Sequence, residues 1–405
     1  MRKQAQLRIA RQLDFQLEAD NFSEPGLSRL GIDLDKVRDK NYLTHNFHPY
    51  PAKFIPHIPR ALIEKYSTPG QLVVDPFCGS GTTLVEACLQ GRPSIGTDLN
   101  PIACLISEAK TLKLEKSDVS ELDRFLLNIN NRLLNVSDIP DSELTDSIPS
   151  FKNRDHWFDK ECLFELGYIK KAIEQLVSPQ SRTLALTAFS AVIVKASRQE
   201  SDTRWVAVNK NNPPGFALRS YAEKLTDMIP RSLEFSRRAI SSASIMQCDA
   251  TSLACVPNSV ANIVVTSPPY MNSYDYYLYH KLRMFCLGYD HKIVQNSEIG
   301  SRNRHCDKSE NLDSYRHLMN SCLQSIKRVL KPSGVLAIVI GDSIYKGELV
   351  PMKAAYDELC EKMGFTKIDT YQYDQRKYTA SFTKGYKTLP KHSYILVYAS
   401  QVDLP

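Results

Sequence analysis

The segment Gln71-Leu72-Val73-Val74-Asp75-Pro76-Phe77-Cys78-Gly79-Ser80-Gly81-Thr82-Thr83 constrains the fold most. A short β-branched run, a proline, two glycines one residue apart and then the small and apolar Leu84 to Leu89 predict strand, tight turn and helix, in that order. Such a turn lies at the C-terminal end of a parallel strand, where open α/β sheets bind ligands. Gly79 and Gly81 let the backbone approach a ligand closely, and the free amides of the helix start favour its polar or anionic end. A second strand, Ser94 to Thr97, ends in Asp98, which is placed to accept hydrogen bonds from a ribose diol. Asp75 follows the first strand directly and the third glycine of a dinucleotide fingerprint is missing, so a nicotinamide enzyme fits less well. A plain strand-to-helix turn is the competing reading.

A second constraint is Thr266-Ser267-Pro268-Pro269-Tyr270, which follows the apolar run Ala261 to Val265. That run reads as a buried strand of the same parallel sheet, with the pentapeptide at its ligand-binding end. Two consecutive prolines fix φ and leave the carbonyls of Ser267 and Pro268 without partners in the strand. Two acceptors beside an aromatic ring suit methyl transfer to an exocyclic amino group, whose lone pair is delocalised into its base. The acceptors grip the amino hydrogens and push the nitrogen towards tetrahedral geometry, while Tyr270 stacks on the base. The alternative is an ordinary Pro-Pro turn after a strand.

The 405 residues suffice for one large or two moderate domains, and 42% hydrophobic residues with no run approaching a bilayer span describe a soluble chain. Met1 to Gln6 lead to no apolar segment, so a cytoplasmic location is expected. Ten scattered cysteines include no Cys-x-x-Cys pair, and His48 and His57 lack supporting ligands, so no metal is expected. A net charge of +6 permits a polyanionic partner without requiring one.

Residues 1–40 form a polar N-terminal extension to which no chemistry is assigned, and 41–110 the cofactor-binding half of a catalytic domain. Within the latter, the prolines and aromatics of Asn46 to Pro59 predict an ordered loop. Residues 111–245 read as a helical insertion, with apolar stripes such as Leu122, Phe125, Leu126 and Ile129. Its later part, from Lys195 through Arg198, Arg204, Trp205 and Lys210 to Arg219, is basic, aromatic and amide-bearing, which suits DNA contact. A rival for that role is Tyr274, Tyr276, Tyr277 and Tyr279 with Arg302 and Arg304, while the basic run Arg376, Lys377, Lys384, Lys387 and Lys391 reads as a solvated loop or a contact to the DNA backbone. Residues 246–405 form the catalytic half. They hold an amphipathic helix from Tyr315 to Val329, a strand from Val335 to Ile340, and a closing antiparallel hairpin of Lys367 to Tyr373 and Ser393 to Tyr398.

Asp75 to Thr83 resembles motif I of the S-adenosylmethionine-dependent DNA amino-methyltransferases, and Thr266 to Tyr270 resembles their catalytic motif IV. Phe47 to Pro59 is similar to motif X, which in that family lines the methionine end of the cofactor pocket. Asp98 matches the ribose-binding acid of motif II, and Asp249 the acid near the adenine in motif III. The resemblance implies a doubly wound, Rossmann-like sheet with a C-terminal antiparallel hairpin, S-adenosyl-L-methionine as cofactor and double-stranded DNA as partner. Phe54, Asp75, Pro76, Phe77, Gly79, Ser80, Gly81, Thr82, Asp98, Asp249 and Thr266 would hold the cofactor, and Ser267, Pro268, Pro269 and Tyr270 would carry catalysis.

The Ser-Pro-Pro-Tyr form is found mostly in enzymes that methylate N4 of cytosine, as part of restriction-modification systems with a separate endonuclease. The order of parts, motif X, motif I, insertion and motif IV, is instead usual in an adenine-modifying class. Cytosine N4 is the primary expectation; adenine N6, an RNA amino group and a non-catalytic DNA-binding protein stay open. Methylation at carbon 5 is disfavoured, because it needs a nucleophilic cysteine, in that family from a Pro-Cys dipeptide, and the chain has none.

Overall fold

A computed structural model describes residues 26–33, 36, 37, 39–135, 147–271, 275–301, 312–345, 348–374 and 392–400. In chain order the helices are α1 (His57–Tyr66), α2 (Thr82–Leu89), α3 (Pro101–Thr111), α4 (Lys116–Leu134), α5 (Arg154–Trp157), α6 (Lys160–Glu174), α7 (Pro179–Ala196), α8 (Phe216–Arg238), α9 (Tyr276–Leu287), α10 (His291–Ser297), α11 (Leu312–Val329) and α12 (Met352–Lys362). The strands are β1 (Val73–Asp75), β2 (Ser94–Asp98), β3 (Gln199–Ser201), β4 (Arg204–Ala207), β5 (Ala243–Gln247), β6 (Ala261–Thr266), β7 (Leu330–Gly341), β8 (Ser343–Tyr345), β9 (Glu348–Val350), β10 (Phe365–Tyr373) and β11 (Ser393–Ser400).

Among the described residues the main sheet has seven strands in the order β10-β11-β7-β6-β1-β2-β5. Pairing is parallel from β5 through β7. β11 is the exception, running antiparallel to both β7 and β10. The expected closing hairpin is therefore present, with its second strand wedged inside the sheet and its first at the edge. Chain order reverses between β1 and β6, which creates the crevice that open α/β sheets use for ligands.

The near-continuous apolar runs follow from burial on both faces. Val73, Ile263, Val265 and Val339 pack towards α1, through Ile58, Leu62 and Ile63. Val74, Val264 and Ile338 pack the other way, against Met319 and Leu323 of α11 and Tyr356 of α12. α2 has no exposed face over Thr82 to Cys88, all of which are buried, so its small residues permit close packing on every side.

Between β2 and β5 lies a mainly helical region that also contains the antiparallel hairpin β3–β4. Its core, built on Leu122, Phe125, Leu166, Phe189 and Tyr221, takes in Phe47 as well as Leu282 and Cys286 of α9. The buried Glu165 of α6 accepts the amides of Gly215 (2.6 Å) and Ala217 (2.7 Å), capping α8 from another helix.

Lys110 on α3 breaks the rule that buried charges are paired. It is 0% exposed, and no hydrogen bond to its Nζ is found among the described residues. Burial drives its ammonium well below the ordinary lysine range. A lysine whose folded pKa is depressed penalises folding as pH falls below the unfolded value, because only the unfolded chain then takes up the proton. Lys110→Met is accordingly expected to raise stability at pH 7 by about 1–3 kcal/mol. In thermal melts the gain should shrink as pH approaches 10.

Candidate active site

The C-terminal ends of β1, β2, β5 and β6 open into one cleft, which encloses about 1390 Å³ when the solvent space at its mouth is counted. Of the residues singled out in the sequence, Phe54, Asp75, Pro76, Phe77, Gly79, Ser80, Thr82, Asp98 and Asp249 line it, together with Ser267, Pro268, Pro269 and Tyr270. Segments up to about 220 residues apart in the chain thus share one wall.

The floor is built around Asp98, at the tip of β2. Its carboxylate accepts the Gly79 amide (2.9 Å) and the Asn100 amide (2.8 Å). Burial raises its pKa to about 6, against the pull of those amides. Gly79 has φ +49°, and a Cβ there would meet the Tyr50 ring at 3.1 Å, so both conformation and space favour glycine.

Gly81 stands behind the wall. It caps α2 at φ +74°, where a Cβ would strike Ser107 at 2.8 Å. Thr266 also stands behind, donating its hydroxyl to Asp75 Oδ1 at 2.7 Å. Asp75, 3% exposed, accepts the Phe77 amide at 3.1 Å as well, so one carboxylate ties the glycine turn to the end of β6. Burial lifts Asp75 to about 6 too. Asp249 sits exposed at the rim, its Oδ1 accepting the Thr251 amide and hydroxyl, each at 2.8 Å.

The Pro-Pro turn is anchored from below. The Tyr315 hydroxyl of α11 donates to the Pro269 carbonyl (3.0 Å) and lies 3.1 Å from the Tyr356 hydroxyl. Gly300 presses on the same turn, since a Cβ there would meet the Tyr270 carbonyl at 2.9 Å. Tyr315→Phe keeps the packing and removes one hydrogen bond, worth about 0.5–1.5 kcal/mol. The expected result is a two- to tenfold lower turnover, about the span of that energy, with cofactor affinity unchanged, read from single-turnover kinetics beside calorimetric titration.

Further wall residues come from contacts that sequence does not display. Tyr50 and Lys53 belong to the proline-aromatic loop, and Tyr276 to the tyrosine-rich stretch, but Glu298 and Tyr373 carry no sequence signal. Glu298, 7% exposed, accepts the amide of Tyr276 at 2.6 Å and so caps α9 from the end of α10. Burial pushes its carboxyl up to about 8.

The cations of the basic segment are largely committed within the fold. Lys195 lies over the Phe216 ring, Arg198 pairs with Asp159, Arg204 with Glu200 (2.9 Å), and Lys210 donates to the Val194 carbonyl (2.7 Å). Tyr274, Arg302, Arg304 and the run from Arg376 to Lys391 lie outside the described residues. His48 is occupied by the Pro49 carbonyl (2.6 Å) and the Ser190 hydroxyl (2.9 Å). Among the described residues no group of three or more His, Cys, Asp or Glu could hold a metal, and no helix is long and apolar enough to cross a membrane.

The glycine turn, Asp98 and the Pro-Pro turn thus share one cleft at the C-terminal ends of the parallel strands. The family model described as DNA methylase, N6_N4_Mtase, matches residues 20–109 and 261–403. The Type II methyltransferase M.MvaI of Kocuria varians is 29% identical over 248 residues, 57% of this chain and 54% of that protein. M.BsoBI of Geobacillus stearothermophilus, also a Type II methyltransferase, is 23% identical over 86% of this chain and 83% of its own length. M.MjaII of Methanocaldococcus jannaschii is 39% identical over 103 residues, 25% of this chain and 19% of that protein. The chain thus spans about half the length of M.MvaI. Among solved structures, the rRNA methyltransferase aviRa of Streptomyces viridochromogenes is 13% identical over 87% of this chain and 88% of that one, at a TM-score of 0.30. With more than half of its length matched by the family model, the chain belongs to the S-adenosylmethionine-dependent DNA amino-methyltransferases.

Proposed function

We propose that the chain methylates the exocyclic N4 amino group of cytosine at a specific sequence in duplex DNA. The observation that carries this reading is Ser267-Pro268-Pro269-Tyr270 on the wall of the cleft that also holds Gly79 and Asp98. The bound cofactor supplies a methyl group on a sulfonium, an already activated leaving group, so the protein's task is positioning. Asp98 accepts the ribose hydroxyls and Asp249 lies on the adenine side. Gly79, Ser80 and Thr82 follow the backbone of the glycine turn, and Pro76, Phe77 and Phe54 give the cleft its apolar wall. Asp75, Thr266 and Gly81 hold that turn in shape.

Ser267 and the Pro268 carbonyl accept the hydrogens of the amino group, Pro269 fixes the turn and Tyr270 stacks on the base. A base inside a duplex cannot reach this cleft, so the target nucleotide is rotated out of the helix. The region 111–245 is the proposed target-reading part. The Type II relatives support a place in a restriction-modification system, and a separately acting endonuclease belongs to the same proposal.

The test is incubation with labelled S-adenosylmethionine and unmethylated duplex DNA, followed by nucleoside mass spectrometry. Label in 4-methylcytosine is the expected outcome. Label in 6-methyladenine would keep the mechanism and change the base; label only in RNA, or none, would overturn the reading.

A further inference from the structure

A two-stranded ribbon is marginal alone in water and needs packing to persist. The hairpin β3–β4 has that packing on one face. Trp205 and Ala207 turn inward onto the helical core, the Trp205 ring 4.3 Å from that of Trp157 and 5.4 Å from the Lys281 ammonium of α9. Arg204 and Val206 alternate with them and stand exposed, Val206 at 48%. Thr203, at the turn between the strands, is exposed as well. We propose that this outer face reads base edges in the major groove of duplex DNA, an inference that rests on the assignment of 111–245 as the target-reading part.

Three observations support it. First, the tip of the ribbon is firmly seated. Asp202 pairs with Arg283 of α9, a fully buried side chain that also donates to the Ser190 carbonyl of α7 and to the Tyr279 carbonyl, each at 3.0 Å. A reading element must hold its register on DNA, and this buried, charge-assisted pair fixes the turn that carries it. Second, the seat lies at a suitable distance from the chemistry. Tyr276, at the start of the same helix, lines the cleft. It stands about two turns before Arg283, a rise of about 10 Å, or about three base-pair steps. The duplex neighbours of a base rotated into the cleft therefore lie within reach of the ribbon. Third, the exposed groups suit base edges. The major groove admits a two-stranded β-ribbon, a guanidinium fork pairs with the edge of guanine, and apolar groups meet the thymine methyl. The Arg204 side chain is 65% exposed, and an ion pair so placed contributes little, so Glu200 at 2.9 Å releases the guanidinium to a base at small cost. Lys281 adds a cation beside the ribbon, which a phosphate-bearing partner favours.

The test uses the full-length protein, S-adenosylmethionine and a pool of duplexes with a randomised centre, sequenced for methylated positions. Arg204→Ala should relax the preference at one G·C position by about 5- to 150-fold, the discrimination of one bidentate base contact, and leave the other positions within about twofold. Val206→Asp sets a carboxylate against the groove and should lower transfer to every duplex by about tenfold or more. Both residues are on the surface, so S-adenosylhomocysteine affinity should stay within about twofold in each variant, which shows that the fold is kept. An unchanged preference in Arg204→Ala would overturn the assignment. So would a uniform fall across all sequences with a shallower salt dependence, which marks a phosphate contact, and so would full transfer by Val206→Asp. Those results leave DNA methylation standing. If the unaltered protein methylates no duplex, or does so without sequence preference, the target-reading assignment falls first and the hairpin with it.

Discussion

Asp98→Ala is expected to weaken S-adenosylhomocysteine binding by about 10²-fold or more, since two hydrogen bonds to an ionised acceptor contribute about 1.5–3 kcal/mol each. The loss has a second component. Asp98 also holds the Gly79 amide at 2.9 Å, so the variant loosens the turn that cradles the ligand. Asp98→Asn separates the two effects, keeping an acceptor for the amide while removing the charge. The sign of the pH dependence follows from burial, which lifts the Asp98 carboxyl to about 6. Below that value it is protonated and no longer accepts from both hydroxyls, so affinity should fall by up to about tenfold per pH unit as pH drops from 6. Asp75 rises to about 6 as well and titrates in both proteins. The difference between the curves of the parent and Asp98→Asn therefore belongs to Asp98, and titrations from pH 5 to 8 would show it. Coincident curves would remove the ribose assignment.

Ser267→Ala should leave the cofactor affinity within about twofold and lower the methyl-transfer rate by about 10²–10³-fold, the scale seen when one preorganised polar contact to a reacting centre is removed. The backbone here is fixed by Pro268 and Pro269 and by the Tyr315 hydroxyl on the Pro269 carbonyl. Loss of one side-chain oxygen therefore should not move the turn, and the backbone carbonyls of Ser267 and Pro268 remain as acceptors. Tyr270→Ala is the companion. It removes base stacking of about 1–3 kcal/mol, and its effect should appear as a higher KM for DNA. Single-turnover rates with saturating DNA distinguish the two variants. A full rate for Ser267→Ala would remove the hydroxyl's role and leave the backbone carbonyls of Ser267 and Pro268 as the grip on the amino group.

Legibility in the sequence followed the range of the interaction. The glycine turn and the Pro-Pro turn are local patterns, and β1, α2, β2 and β6 stand where Gln71 to Leu89, Ser94 to Thr97 and Ala261 to Val265 placed them, β2 and β6 each one residue longer. The closing hairpin was readable because Ser393 to Tyr398 is a continuous apolar run, as a strand inside a sheet must be. Glu298 capping α9, Tyr315 bracing Pro269 and Tyr373 reaching the cleft were not, because each depends on a partner 22 to more than 100 residues away. The partners of the basic segment were equally illegible: Arg198 pairs with Asp159, Arg204 with Glu200, and Lys210 donates to the Val194 carbonyl. Thr266 and Gly81 sit beside cleft residues in the sequence but turn inward, one to Asp75 and the other to Ser107.

The sheet edge sets a schedule for synthesis. β5, which brings Asp249 to the rim, pairs with β2 so that Asp98 faces Gln247, yet the whole helical region separates the two strands in the chain. Closing so long a loop is slow and contributes nothing until the intervening helices have packed. A nascent chain that has emerged only through α8 therefore carries Asp98 without its neighbouring strand. A cofactor that binds only the finished sheet stabilises the completed molecule and offers no help to the growing one. Ligand added during translation should protect full-length product from proteolysis while leaving stalled chains that end before Ala243 as sensitive as before.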